Sequence, residues 1–188
     1  MNEKVIKLIG IENYVIFKQY QKDLLSLKFY KNSIYHGIDH SLRVLLLMMI
    51  LCKEIIVTNS EREMLYFAAV YHDIARGKNE VMDSFHGIKS WKVISSEMNI
   101  SFSKNEQLYL KYIIENHCFQ LHQAIKNVAL YPLSNRDKAE KLIRALQTCD
   151  QLDMLRYKWF NSSDIDIEID DYYINISMLL LSIDVTNI

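Results

Sequence analysis

Apolar residues recur along most of this chain at intervals of three and four, the period of an amphipathic helix rather than the alternation of a half-buried strand. One or two helices are expected over about 3–30, interrupted near Gly10. Gly37 then marks the start of a helix over about 38–56. Ser60-Glu-Arg-Glu63 reads as a capping box, which sets a helix over about 61–75 with Gly77 as its stop. A further helix follows over about 85–98. Ser103-Lys-Asn-Glu106 supplies a second capping box for a helix ending near His117, and 118–131 is also expected to be helical. Pro132 and Ser134 precede a long helix over about 135–159. The acidic stretch 164–171 alternates acid and isoleucine, a strand period. An isolated strand in a helical protein is marginal, so an extended acidic loop is expected there, with a closing helix over 172–183.

Four glycines and one proline leave little material for hairpins, so the fold class is all-α. With 188 residues, half of them hydrophobic, the chain can bury a core as one domain over 1–188, its motifs falling in about 35–157 and its tail 160–188 carrying none. Lys+Arg 22 against Asp+Glu 23 gives a net charge of −1, so nothing global argues for a polyanion or a membrane surface as partner, while a local basic pocket stays open. Cys52, Cys118 and Cys149 are odd in number and lack a C-x-x-C spacing, as suits core thiols in a reducing compartment. The N-terminal MNEKVIKLIG has no signal-peptide character, and the longest apolar run, 44–52, is far short of the ~20 residues of a membrane span. A cytoplasmic protein is expected.

The chemistry lies in six residues. Projected at about 100° per residue, His40 shares a stripe with Val44, Leu47 and Leu51, His72 follows Leu65, Ala68 and Ala69, and His117 follows Leu110, Ile113 and Ile114. Asp150 falls on the apolar arc of Ile143 and Leu146, where an unpaired carboxylate would be costly. Asp73 and His86 complete the set. Any one of these is more often a hydrogen-bonded core residue or one half of an ion pair. Four inward histidines and two acids on five helices are hard to satisfy pairwise, and easy to satisfy around one or two cations. Arg76, four residues after His72 and three after Asp73, projects over the same place as a phosphate clamp or a salt-bridge partner. His36 is a substrate contact or simply a helix-start residue, and Lys78 is a weaker substrate-binding candidate. His122 would point away from His117 on a continuous helix and is expected at the surface. Ser90 shares the His86 stripe without a base to activate it, and Arg43, Asp153 and Arg156 read as supporting pairs.

The order His40, His72-Asp73, Asp150, with the strings YHGIDHSLRV, VYHDIARG, SFHGIKS and TCDQLDMLR, resembles the H…HD…D pattern of the HD-domain superfamily of metal-dependent phosphohydrolases. That resemblance implies an HD-type helical domain in which His40, His72, Asp73 and Asp150 hold one metal. It also implies a second metal on His86 and His117 with Asp73 bridging, as in two-metal members, some of which carry Lys where this chain has Arg76. Mixed nitrogen and oxygen ligands suit one or two divalent ions among Mn, Fe, Co, Ni and Zn. The activity expected is hydrolysis of a small phosphorylated substrate, a nucleotide foremost, with Asp73 and Arg76 as catalytic residues and Arg76, His36 and Lys78 on the substrate. Two other readings use the same fold: a di-iron oxygenase acting on a small polar substrate, and a non-catalytic ligand-binding regulatory module. Without a basic stripe, a long nucleic acid is not an expected partner.

Overall fold

The structure is a computed structural model, described here for residues 2–27, 36–76, 83–157, 160–161, 165 and 170–188. Its helices are α1 (Asn2–Ile9), α2 (Ile11–Ser26), α3 (Ile38–Glu54), α4 (Asn59–Tyr71), α5 (His86–Glu97), α6 (Lys104–Asn116), α7 (Leu121–Asn127), α8 (Arg136–Met154) and α9 (Asp171–Leu181). Short 3-10 turns span Val128–Leu130 and Val185–Asn187. The described residues contain no strand, so the protein is all-α.

Helix α3 is the axis of the core. From Val44 to Cys52 every side chain is buried, because α2, α4, α8 and α9 pack around it. A helix apolar all round belongs in the centre of a bundle. Among the described residues no helix is long and apolar enough to cross a membrane. Gly10 separates α1 from α2 with φ +86°, a left-handed conformation that a side chain would strain.

Helix α4 begins two residues earlier than the 61–75 expectation. Thr58 rather than Ser60 is its N-cap: the Thr58 hydroxyl accepts from Glu61 N and the Glu61 carboxylate accepts from Thr58 N. Two overlapping boxes compete in Thr58-Asn-Ser-Glu-Arg-Glu63, and Ser60 is withdrawn from the second because its hydroxyl donates to Glu106. Glu106 belongs to the expected box of α6, where Ser103 and Glu106 cap each other reciprocally. The N-termini of α4 and α6 are thereby tied together.

The 118–131 helix is broken. Gln147 of α8 donates from Nε2 to the carbonyls of His117 (3.1 Å) and Phe119 (2.7 Å), which ends α6 before α7 begins. Helix α8 itself stops at Met154 rather than near 159, as i+3 bonds from Leu155 and Arg156 replace the α pattern. The tail helix α9 starts under an Asp170 cap and is fastened to α8 by Ser177, whose hydroxyl donates to Leu152 O at 2.7 Å. The expected stop at Gly77 and most of the acidic stretch 164–171 lie outside the described residues.

Candidate metal centre

Helices α4 and α6 deliver their histidines in the same way. Each is 13 residues long, and each ends on a histidine C-cap, His72 and His117. The last carbonyls of a helix have no intrahelical donor, and each ring takes one: His72 Nδ1 lies 3.0 Å from Ala69 O, and His117 Nδ1 lies 2.7 Å from Ile114 O. Both Nε2 atoms are left facing the same interior space, with the rings 4.8 Å apart. Asp73 follows His72 in the turn after α4. That turn is held by Arg76 N on Asp73 O (2.9 Å) and by Ala75 N on the buried Ser90 hydroxyl (3.2 Å), which gives Ser90 a structural use.

His86 opens α5, and its Nδ1 bonds Asp83 O. Gly87 then lets α5 approach α6, for a Cβ there would lie 2.3 Å from Ile114 O. That approach brings His86 Nε2 to 2.8 Å from His117 Nε2. From the other side, the first turn of α3 brings His40 Nε2 to 3.2 Å from His72 Nε2 and 3.2 Å from Asp150 Oδ1 of α8.

Asp73 stands between these two groups. Its Oδ1 lies 3.1 Å from His86 Nε2 and 3.3 Å from His117 Nε2. Its Oδ2 lies 3.0 Å from His36 Nδ1, 3.7 Å from His40 Nε2 and 3.8 Å from His72 Nε2. The six residues expected to act together are thus brought together. His36 joins them, and Arg76 Nη1 reaches Asp73 Oδ2 at 3.3 Å and His36 Nδ1 at 3.2 Å. Donor atoms of His36, His40 and Asp73, of His40, His72 and Asp150, and of His72, Asp73 and His117 lie within 4.8 Å of one another in three overlapping groups. His122 is exposed and far from them in role, lining a separate surface cleft with Gln120 and Arg144. Lys78 lies outside the described residues.

The donor set fits a divalent cation. With the Nδ1 protons of His72, His86 and His117 committed to backbone carbonyls, a neutral ring presents a lone pair at Nε2. His86 and His117 then aim lone pairs at each other and at a carboxylate, an all-acceptor arrangement that a cation resolves. The C-termini of α4 and α6 add their partial negative charge.

The electrostatics agree. Burial opposes ionisation of Asp73, but His72, His117, His36 and His86 hold it well below the usual carboxylate range. Burial likewise works against Asp150, and His40 with His72 overcomes it. Burial disfavours charge on His72 too, yet Asp73 and Asp150 draw its pKa up to about 9, so that without a metal a proton supplies the missing positive charge. Burial pushes His117 down to about 4 and lowers His36.

Three features of the site were not foreseen from sequence. One is the close approach at Gly87. The second is the Gln147 amide, which fixes the end of α6 and so the place of His117. The third is the bond from His40 Nδ1 to Asp153 Oδ2, 2.7 Å. A glycine following a histidine gives a hint of the first, nothing local signals the second, and for the third the sequence marks Asp153 as a supporting residue without naming His40 as its partner.

An all-α scaffold that gathers four histidines and two aspartates into overlapping buried groups able to hold a metal ion defines a class of helical domain. The family model of the HD domain matches residues 37–156, and the chain belongs to that family. No curated protein and no solved structure matches it.

Proposed function

We propose that this HD-domain protein is a metal-dependent phosphohydrolase acting on a nucleotide or a related small phosphoester. The observation that carries this reading is the division of Asp73, one oxygen toward His86 and His117 and the other toward His40 and His72, with the Arg76 guanidinium 3.3 Å away. A carboxylate with two oxygens can serve two ions at once. In this reading His40, His72, Asp73 and Asp150 hold one ion, and Asp73, His86 and His117 hold a second.

When bound, such ions supply Lewis acidity that makes water a nucleophile at neutral pH and offsets phosphoryl charge. The protein supplies the rest. Asp73 is ionised and so orients water as an acceptor, while His36, buried and neutral, narrows the space beside it. Arg76, whose side chain is 11% exposed, offers guanidinium donors to a phosphoryl group at the edge of the cluster. Free Cys52, Cys118 and Cys149 suit a cytoplasmic setting.

The test is metal analysis of the purified protein followed by a phosphate-release screen over nucleotides, without oxygen. Phosphate release that chelation abolishes and Mn or Co restores is the expected result. Oxygen consumption by the iron-loaded protein, with no phosphate release, would establish the oxygenase instead. Protein that binds no divalent metal would end the proposal.

A further inference from the structure

Of the six side chains proposed to hold metal, five are sealed inside the protein and one is not. The Asp150 side chain is 22% exposed, whereas those of His40, His72, Asp73, His86 and His117 are each 6% exposed or less. Asp150 stands near the end of α8, and its Oδ1 lies 3.2 Å from His40 Nε2 and 3.7 Å from His72 Nε2. The oxygen of Asp73 that faces these two histidines, Oδ2, is also the one that Arg76 reaches at 3.3 Å, and the Arg76 side chain is 11% exposed. Exposure and the proposed phosphoryl contact therefore fall on the same half of the cluster.

The other half is closed by packed backbone. Helix α5 lies so near α6 at Gly87 that a Cβ there would be 2.3 Å from Ile114 O. The His86 and His117 rings are tied through Nδ1 to Asp83 O and Ile114 O. Cys118 Sγ donates to Ser84 O at 3.1 Å, joining the end of α6 to the entry of α5, and Gln147 holds the carbonyls of His117 and Phe119 from behind. Freeing a ligand at the Asp150 end takes rotation of one partly exposed side chain, a fast event. At the His86 end it takes separation of α5 from α6, a local opening with a free energy of its own.

We propose that the two ends of the cluster differ in access. The ion held by His40, His72, Asp73 and Asp150 exchanges with solvent and is the one a substrate phosphoryl oxygen can reach, while the ion held by Asp73, His86 and His117 is enclosed. This rests on the two-ion reading under Proposed function. A metal site that takes substrate keeps a position open, and a structural one is closed. Ligand number favours the reverse order, with four residues at the Asp150 end and three at the other. Ligand number acts on affinity, however, whereas enclosure slows entry and exit alike, so rates distinguish the two.

The experiment mixes Zn²⁺-loaded protein with excess chromophoric chelator and follows release by stopped-flow absorbance, each variant being checked by circular dichroism. Wild type should release two ions in two phases of one ion each, with rates about tenfold or more apart. Asp150→Asn should lose the fast phase and keep the slow one, and His117→Ala should do the opposite. Urea below the unfolding transition should speed the slow phase of wild type and leave the fast one unchanged, since only the slow phase waits on local opening. Two ions leaving at one rate, a slow phase indifferent to urea, or loss of the opposite phase in either variant overturns the inference. If the variants do not fold, the urea series on wild type decides. Wild type that binds one ion overturns the two-ion reading, and wild type that binds none overturns the metal reading, both distinct from failure of this inference.

Discussion

Replacing Gly87 by alanine tests the spacing of His86 and His117, the histidines proposed to hold a second ion. The new Cβ would meet Ile114 O at 2.3 Å and Glu115 O at 3.1 Å, whereas ordinary contact is 3.4–4 Å. Both obstacles are backbone, so neither can rotate aside, and α5 must retreat from α6 by about 1 Å, an overpacking that costs about 1–3 kcal/mol. For a domain of this size that lowers Tm by roughly 2–4 °C per kcal/mol. In an open helix the same change would stabilise by up to about 1 kcal/mol, so even the sign is informative. The displacement also reaches chemistry. Ile114 O accepts from His117 Nδ1, and His86 adjoins Gly87, so both histidines of the proposed second site should move. His40, His72 and Asp150 lie on other helices. The expected outcome for Gly87→Ala is therefore a lower Tm and a fall from two bound ions to one, read by thermal melting and by metal content after dialysis. A variant with wild-type Tm and two ions per chain would refute the reasoning.

Asp73→Ala should lose metal and turnover together, because both halves of the cluster face that carboxylate; retention of two ions in metal analysis would count against the bridging role. Arg76→Ala should keep its metals and lose about 2–4 kcal/mol of transition-state stabilisation on phosphoester substrates, measured as kcat/KM. Bonds from Ser103 and Ser60 hold the Glu106 carboxyl at about 2, against an ordinary value of 4.5. The stability this provides is complete above pH 4.5 and is lost as pH falls through 2. The Tm gap between wild type and Glu106→Gln should accordingly be full at neutral pH and close in acid, as a melting series from pH 7 to pH 2 would show.

Much of the fold was legible because burial and helical period are written in the same residues. The stripes under His40, His72 and His117 run along buried faces of α3, α4 and α6, and each histidine sits where its stripe meets the others. Asp150 was placed less well. It lies at the rim of the α8 arc, with its side chain 22% exposed, while Asp153, three residues on, is the buried carboxylate. Periodicity ranks positions on a helix but does not say which partner lies opposite. Asp153 is 113 residues from His40, and Gln147 is 30 from His117, so only the packed structure pairs them. The start of α4 was missed for a related reason. Thr58 and Ser60 offer equivalent local caps, and the choice is made by Glu106, on another helix. The break between α6 and α7 likewise follows from an amide on α8.

The tie between Ser60 and Glu106 gives the site a mechanical aspect. Helices α4 and α6, 13 residues each, are struts of about 20 Å at 1.5 Å per residue. They are joined at one end by a hydroxyl on a carboxylate and at the other by His72 and His117, whose rings are 4.8 Å apart. Metal bonds tolerate errors of about 0.2 Å. At the tip of such a strut this corresponds to a tilt of about half a degree. The two struts and their end-pieces therefore behave as a braced frame, in which a serine at the far end helps set the angle at which two imidazoles meet.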